Sequence, residues 1–274
     1  MASAIARALA FVLLFIVCEA ALGMAAGQLL PRASGSLTTL TLQVGIQLLA
    51  VVAATAIMLR SIDVRPLGDV GLDRVASRPR ALLEGALLGG GTIGLACALL
   101  LAAGELRIVA GPAGSSLSAA VPLTAFLVGA ALTEELLVRG YLLTALADGI
   151  GMRWAVVATS LMFGAMHIWN AGATVESILI VTLAGLFLGA IRVAFRSVYA
   201  ASAAHLAWNW TLAVALHAYV SGIHFEAPDY RTVDGGPDWL TGGPWGPEGG
   251  AAAAAAMLVG LAYLHRTRRR RGES

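Results

Sequence analysis

The sequence has no lysine and few charged residues of any kind. All 18 basic residues are arginines, charged residues make up 12% of the 274 positions, and apolar residues make up 58% with a mean hydropathy of +0.81. Soluble domains are typically about 25% charged and 45–50% apolar. This composition therefore argues against a water-soluble enzyme.

Cysteine and aromatic residues are also scarce. The only two cysteines, Cys18 and Cys97, both lie inside apolar runs, so they can form neither a disulfide framework nor a cysteine-based zinc ribbon. We interpret them as packing residues. Aromatic residues make up 7% of the chain, and no basic stretch precedes the C-terminus. The sequence therefore lacks the features of a nucleic-acid-binding protein, and no nucleic-acid partner is predicted.

Long apolar runs dominate the sequence instead. A helix that crosses the roughly 30 Å hydrocarbon core of a bilayer needs about 20 mostly apolar residues. Eight runs meet this description: Ala8–Leu29, Leu40–Leu59, Ala81–Ala103, Ala119–Leu143, Trp154–Asn170, Thr174–Ala194, Ser197–Val220 and Gly249–Leu264. The sequence predicts an all-α, polytopic integral membrane protein with about eight transmembrane helices, in which residues 1–274 form a single membrane domain.

The arginines indicate the orientation of these helices. With eight spans both termini lie on one side, and placing them in the cytoplasm leaves fourteen arginines inside and three outside, namely Arg32, Arg107 and Arg231. This asymmetry follows the positive-inside rule and predicts a multi-pass cell-membrane protein with both termini cytoplasmic. A secretory signal peptide is the alternative for the first run, but Glu19 argues against it, because an acid is rare in such a segment.

Several other features carry structural expectations. Glu19 lies in mid-span and is expected to bond with a glutamine of the second helix, and the small residues of Gly85–Gly94 are expected to permit close helix packing. We expect Glu84, Glu176 and Arg192 at the membrane surface. The segment Ser221–Glu248, rich in glycine, proline and acids, is predicted to be external and partly mobile, with Trp239 and Trp245 at the membrane interface.

Ionisable residues inside apolar helices are costly, which makes them candidates for a functional site. The fourth span contains Glu134, Glu135 and Arg139. Glu135 and Arg139 are four residues apart and can form an ion pair on one helix face, whereas Glu134 lies on a different face. The spacing therefore predicts a structural ion pair and one free carboxylate.

Two further spans carry histidines that share a helix face with a residue four positions away. Phe163 and His167 share a face of the fifth span, and His205 and Asn209 share a face of the seventh. Taken singly, each pair is also typical of a satisfied core histidine or of hydrogen bonding between helices. Counted from the presumed cytoplasmic helix ends at about 1.5 Å per residue, however, these groups and Glu134 lie about 12–21 Å from that side. The sequence predicts that they share one intramembrane layer.

This set of side chains is suited to the hydrolysis of an amide bond. A free carboxylate and an imidazole can activate a water molecule, and a histidine beside an asparagine can stabilise an oxyanion. Glu134, His167 and His205 could equally hold a catalytic zinc ion, although the helical H-E-x-x-H motif is absent. The residues themselves leave both schemes open.

The three motifs together resemble those of the CPBP intramembrane proteases, which include the CAAX prenyl protease 2 type and lysostaphin-resistance-protein-A-like proteins. The family pattern is E-E-x-x-x-R, F-x-x-x-H and H-x-x-x-N or D, and it occurs here in order within residues 119–220. The resemblance implies that the catalytic residues are Glu134, His167, His205 and Asn209, and that the supporting residues are Glu135, Arg139 and Phe163.

The same resemblance implies the reaction and the partners. Glu134 and His167 would activate the water, and His205 and Asn209 would stabilise the oxyanion. The substrate would be a membrane-associated protein or peptide, processed in the lipid bilayer in CAAX-type processing or in peptide maturation. The cofactor stays unknown, because a glutamic mechanism needs none and zinc is possible.

Two other functions are compatible with a sequence of this kind. A non-catalytic membrane scaffold or bacteriocin-immunity protein would keep the helices without hydrolysing a substrate. A proton-coupled transporter also uses buried glutamate and histidine, but it predicts inverted repeats with broken helices at matching positions, and the sequence shows none.

Overall fold

The computed structural model describes residues 2–29, 36–225 and 228–270 and is 75% helical. Arg32 and Arg271 lie outside the described residues. The helices are α1 (Ala2–Leu29), α2 (Leu37–Ile57), α3 (Pro79–Ala103), α4 (Ser116–Glu135), α5 (Leu142–Ile150), α6 (Met152–Met166), α7 (Val175–Phe195), α8 (Val198–Trp210), α9 (Asp238–Thr241) and α10 (Ala251–Arg270). Two strands, β1 (Leu106–Ala110) and β2 (Tyr230–Asp234), form an antiparallel ribbon.

Within the described ranges, five helical stretches are long and apolar enough to cross a membrane. They are Ser3–Gly27, Leu37–Ile62, Pro79–Ala103, Leu117–Ile150 and Val175–Phe195. Helix α6 is apolar but has 15 residues, and α8 has 13. The structure therefore fits the predicted all-α membrane fold, but it does not confirm the predicted number of eight spans.

Large apolar side chains cover the outside of the bundle. On α1 they follow the helical period, with Leu9 65%, Leu13 62% and Val17 55% exposed. Side chains at this spacing share one face of a helix. Such a face is unfavourable in water but matches the acyl chains of a bilayer.

The helix ends follow from local sequence. Helix α3 begins with Pro79 and ends at Gly104, which adopts φ 80°; proline suits the first turn and glycine the left-handed cap. Thr174 and Ser177 form a reciprocal capping box at the start of α7, and Ser197 caps α8 by accepting a hydrogen bond from the Ala200 amide. These caps position the two central helices.

The fourth predicted span is not one regular helix. After Glu135 the chain enters a wide π-type turn, Leu136–Tyr141, in which Gly140 has non-helical angles (φ −83°, ψ −118°), and α5 then continues to Ile150. Such turns frequently occur at functional sites, because they displace side chains from the regular helical spacing. Here the turn begins directly after the two adjacent glutamates.

Helices α3 and α8 approach closely because glycine faces alanine between them. A Cβ atom placed on Gly85 would lie 2.3 Å from the Ala200 carbonyl oxygen, and one on Gly89 would lie 1.9 Å from that of Ala204. The expected role of this small-residue run in helix packing is confirmed. The contact fixes α8 against α3 along the stretch that carries His205.

Polar contacts join helices at two further places. Gln47 of α2 donates a hydrogen bond of 3.0 Å to Glu19 of α1, as predicted. At the end of the bundle where α5 ends, Asp63 and Asp148 bind Arg7 and Arg65. The start of α1 and the segment after α2 are thereby tied to the end of α5.

The segment between α8 and α10 has more structure than predicted. It contributes β2, which pairs with β1 in a register that places Leu106 opposite Asp234 and Ala110 opposite Tyr230. Trp239 is 56% exposed, which is compatible with an interfacial position, but Trp245 is 1% exposed. The prediction of an interfacial Trp245 is therefore wrong, because its ring packs into the core of the protein.

Candidate active site

The predicted ion pair lies at the centre of the bundle. Arg139 Nη1 donates to Glu135 Oε1 at 2.8 Å, and neither side chain is exposed. Buried charges are tolerated when they are paired and hydrogen-bonded. The pair bridges the π-type turn, since Glu135 ends α4 and Arg139 lies within the turn.

Arg139 has two further neighbours on other helices. Its Nη2 donates to the Gly185 carbonyl oxygen at 3.2 Å, and its guanidinium carbon lies 4.3 Å from the centre of the Phe163 ring. The ring face attracts the cation, which adds to the hydrogen bonds. Arg139 therefore connects α4, α6 and α7 around the site.

Arg192, which was expected at the membrane surface, is a second arginine that is buried in the protein. It is 5% exposed, and its Nε donates to the Arg139 carbonyl oxygen at 3.2 Å. The irregular π-type turn brings this carbonyl within reach of the Arg192 side chain. Sequence position near the end of α7 did not reveal this contact.

His205 lies between the two adjacent glutamates. Its Nδ1 is 3.0 Å from Glu135 Oε1, and its Nε2 is 3.9 Å from Glu134 Oε2. Because an ionised carboxylate only accepts hydrogen bonds, Nδ1 carries the proton in the contact with Glu135. Glu135 thus orients the ring so that Nε2 faces Glu134, at a separation too long for a direct hydrogen bond.

His167 is held by the residue that precedes it by one helical turn. Its Nδ1 lies 2.8 Å from the Phe163 carbonyl oxygen, and the two rings are 4.8 Å apart. A carbonyl oxygen only accepts, so Nδ1 donates and Nε2 keeps its lone pair. This is the tautomer that a general base requires.

His167 lies at the end of α6 and not inside a helix as the predicted span Trp154–Asn170 implied. Helix α6 ends at Met166, and His167 is the residue that caps it. The chain turns back at Gly172, which adopts φ 71°, before Thr174 caps α7. The predicted span was too long because the turn-forming residues were included in it.

His167, His205 and Asn209 line a small cavity of about 30 Å³. That volume corresponds to roughly one water molecule. Glu134 lies next to this site through its contact with His205, and its Oε2 has no hydrogen-bond partner among the described residues. The structure therefore places His167, His205 and Asn209 around one cavity, whereas Glu134 contacts His205 and does not itself line the cavity.

Glu248 is a residue of this cavity that the sequence did not reveal. It lines the cavity together with Ser221 and Trp208 and is 8% exposed. Its position in a segment rich in glycine and proline indicated an exposed loop. A buried acid in such a segment is recognisable only from its hydrogen-bond partners.

A zinc site of Glu134, His167 and His205 was the alternative to metal-free hydrolysis. In residues 2–29, 36–225 and 228–270, no three His, Cys, Asp or Glu side chains come together closely enough to hold a metal ion. Zinc requires three protein ligands in a catalytic site. The arrangement does not fit such a site, and the reaction below uses no metal-dependent step.

The sequence profile of the family described as "Type II CAAX prenyl endopeptidase Rce1-like" matches residues 116–211. All three motifs lie inside the matched segment, so the resemblance drawn from them is confirmed for this part of the chain. No curated protein and no solved structure matches the chain. At the level of the family, the match and the apolar helices support a membrane protease.

Proposed function

We propose that this multi-pass membrane protein, similar to the type II CAAX prenyl endopeptidases, is an intramembrane endopeptidase that hydrolyses a peptide bond of a membrane-associated protein or peptide. One observation carries the proposal. The unpartnered carboxylate oxygen of Glu134 lies 3.9 Å from His205 Nε2, beside a buried cavity lined by His167 and Asn209.

Glu134 and His167 are the residues that activate water in this proposal. The Glu134 oxygen beside His205 and the His167 Nε2 lone pair can both accept hydrogen bonds, and in the proposed mechanism a water molecule between these two groups is polarised by both. The water oxygen attacks the carbonyl carbon of the substrate, and its proton passes to this pair. The same proton then moves to the amine nitrogen as the peptide bond breaks.

His205 and Asn209 stabilise the oxyanion in the tetrahedral intermediate. They lie four residues apart on α8 and line the same cavity. Asn209 donates through its amide, and His205 acts through Nε2, which must carry a proton at this step. One such donor is worth roughly 2.7–4 kcal/mol in transition-state stabilisation.

Glu135, Arg139 and Phe163 support these groups without contacting the substrate. Glu135 orients the His205 ring, and the carbonyl of Phe163 selects the tautomer of His167. Arg139 neutralises Glu135 and packs over the Phe163 ring. Catalysis depends on such preorganisation, because a site loses rate when its groups can move.

The matched family favours a CAAX-type substrate, and peptide maturation is a related activity of the same chemistry. The arginine distribution of the sequence supports a cell-membrane location with both termini in the cytoplasm. A scaffold or bacteriocin-immunity protein of the same fold is the alternative, and it would not need Glu134 or His167.

The test is the substitution Glu134→Gln. Purified protein in detergent is incubated with a quenched fluorescent peptide that ends in a prenylated CAAX sequence, and cleavage products are identified by mass spectrometry. We expect turnover to fall by about 10²–10⁴, the contribution of a general base. Glu84→Gln is the matched control, since Glu84 pairs with the exposed Arg80 and does not line the cavity.

Undiminished cleavage by a folded Glu134→Gln variant would refute the proposed mechanism. If the wild-type protein does not cleave the peptide, and Glu134→Gln and His167→Ala leave its cellular phenotype unchanged, the scaffold is the correct function.

A further inference from the structure

The buried carboxylate of Glu248 forms no ion pair with any residue that the structure describes. Its Oε2 accepts a hydrogen bond of 2.7 Å from Trp208 Nε1. Its Oε1 accepts hydrogen bonds from the Ser221 amide at 2.6 Å and from the Ser221 hydroxyl at 2.7 Å. Three donors to one buried carboxylate satisfy it well enough to explain its burial.

Ser221 continues these contacts to the helix end that carries His167. Its carbonyl oxygen accepts a hydrogen bond of 3.0 Å from Asn170 Nδ2. Ser221 itself has φ 49°, and the next residue, Gly222, packs so closely that a Cβ there would lie 1.8 Å from the Ala171 carbonyl oxygen. A residue other than glycine adopts this left-handed backbone conformation only when its surroundings hold it there.

The four residues Asn170, Ser221, Glu248 and Trp208 form one continuous hydrogen-bonded chain, which we call the Glu248 clamp. One end of the clamp lies three residues after His167, and the other lies one residue before Asn209. The clamp therefore joins the two elements that carry the water-activating histidine and the oxyanion-binding asparagine.

The regular parts of α6 and α8 do not by themselves fix the positions of His167 and Asn209. Helix α6 ends before His167, and α8 changes to a π-type turn, Thr211–Ala215, two residues after Asn209. Backbone groups near a helix end lack some of the regular hydrogen bonds of the helix. The position of Asn209 relative to His167 then depends on contacts between the connecting segments.

We propose that Glu248 is a positioning residue, which sets the place of Asn209 relative to His167 through the Glu248 clamp. The inference rests on the proposed endopeptidase function. Glu248 lines the cavity, and the hydrogen bonds that it accepts come from Trp208 and Ser221, neither of which reacts in the proposed mechanism. The family match ends at residue 211, so Ser221 and Glu248 lie beyond the segment that carries the resemblance.

The test compares Glu248→Gln and Trp208→Phe with the wild-type protein on the prenylated CAAX peptide. In Glu248→Gln an NH2 group replaces one carboxylate oxygen and faces a donor of Trp208 or Ser221. In Trp208→Phe the indole N–H donor is lost, but an aromatic ring is kept. We expect kcat to fall by about 10- to 100-fold in both variants, the scale of small misplacements in an active site, with KM changed by less than about twofold.

Trp210→Phe is the matched control for Trp208→Phe. Trp210 lies two residues along the chain and donates to Thr124 outside the clamp, so we expect wild-type kcat from this variant. Turnover is measured well below the lowest melting temperature of the series. A residue that only stabilises the fold would lower the melting temperature and leave kcat unchanged at that temperature.

The outcomes separate this inference from the proposed function. If Glu134→Gln is inactive while folded Glu248→Gln and Trp208→Phe keep kcat within about twofold of the wild type, the clamp inference alone is overturned. If Glu134→Gln is fully active, the proposed function fails and the clamp loses its role with it. Should Glu248→Gln not fold, Trp208→Phe and Ser221→Ala, which removes one hydroxyl donor, decide the question by the same kcat criterion.

Discussion

Glu135 and His205 are joined by a 3.0 Å contact between Oε1 and Nδ1, although 70 positions separate them in the chain. The same oxygen accepts the hydrogen bond from Arg139. Glu135 is therefore shared between the ion pair of its own helix and the histidine of α8. One buried carboxylate aligns α4 with α8, whereas the adjacent Glu134 contacts the other nitrogen of the same histidine at 3.9 Å.

Replacing Arg139 is expected to destabilise the fold. In Arg139→Ala, Glu135 remains buried without its arginine partner, at a cost of roughly 3–5 kcal/mol. Thermal unfolding in detergent measures the effect, and Arg80→Ala is the control, because Arg80 forms an exposed pair worth about 0–1 kcal/mol. An unchanged melting temperature in Arg139→Ala would contradict the structural importance of the ion pair.

Replacing Asn209 is expected to slow the chemical step. In Asn209→Ala the oxyanion loses an amide donor, and kcat should fall by about 10²–10³. The stabilisation acts in the transition state, so KM should change little. Steady-state kinetics on the prenylated CAAX peptide give both constants, and a rise in KM at constant kcat would instead assign Asn209 to substrate binding.

The close approach of α3 and α8 predicts opposite effects at two neighbouring glycines. Gly89→Ala places a methyl group 1.9 Å from the Ala204 carbonyl oxygen and should destabilise by about 1–3 kcal/mol. Gly91 has no atoms within 4 Å of such a methyl group, so Gly91→Ala should be neutral or stabilise the helix by up to about 1 kcal/mol. Equal melting temperatures for the two variants would contradict this packing.

Metal chelation distinguishes the two schemes that the sequence left open. Since the described residues provide no group of three metal ligands, we expect turnover to persist in 1,10-phenanthroline and purified protein to contain far less than one zinc ion per chain. Elemental analysis and activity before and after chelation provide the measurements. Loss of activity that added zinc restores would establish a metalloprotease.

The helical period explains which parts of the site were predictable. Glu135 and Arg139, Phe163 and His167, and His205 and Asn209 are each four residues apart, a spacing that places both members of a pair on one face of a regular helix. The Glu19–Gln47 bond was predictable for a related reason, because a mid-span acid needs a partner and the next helix offers glutamines.

Other features depend on segments without a period. Glu248, Ser221 and Asn170 lie in turns, where spacing says nothing about which side chains meet. The burial of Arg192 and Trp245 and the pairing of β1 with β2 also arise from contacts across the bundle. Local sequence carries no signal for such contacts, since the partners are far apart in the chain.

The amino-acid order by itself determined that the chain forms apolar helices and that three predicted spans carry ionisable side chains paired with a residue four positions away, because both properties follow from composition and a period of 3.6 residues. Only the tertiary structure decided that His205 Nδ1 meets Glu135, that α6 stops before His167, and that a buried Glu248 links the ends of α6 and α8. These outcomes depend on how helices of different lengths and irregular turns pack together, which is a property of the whole bundle.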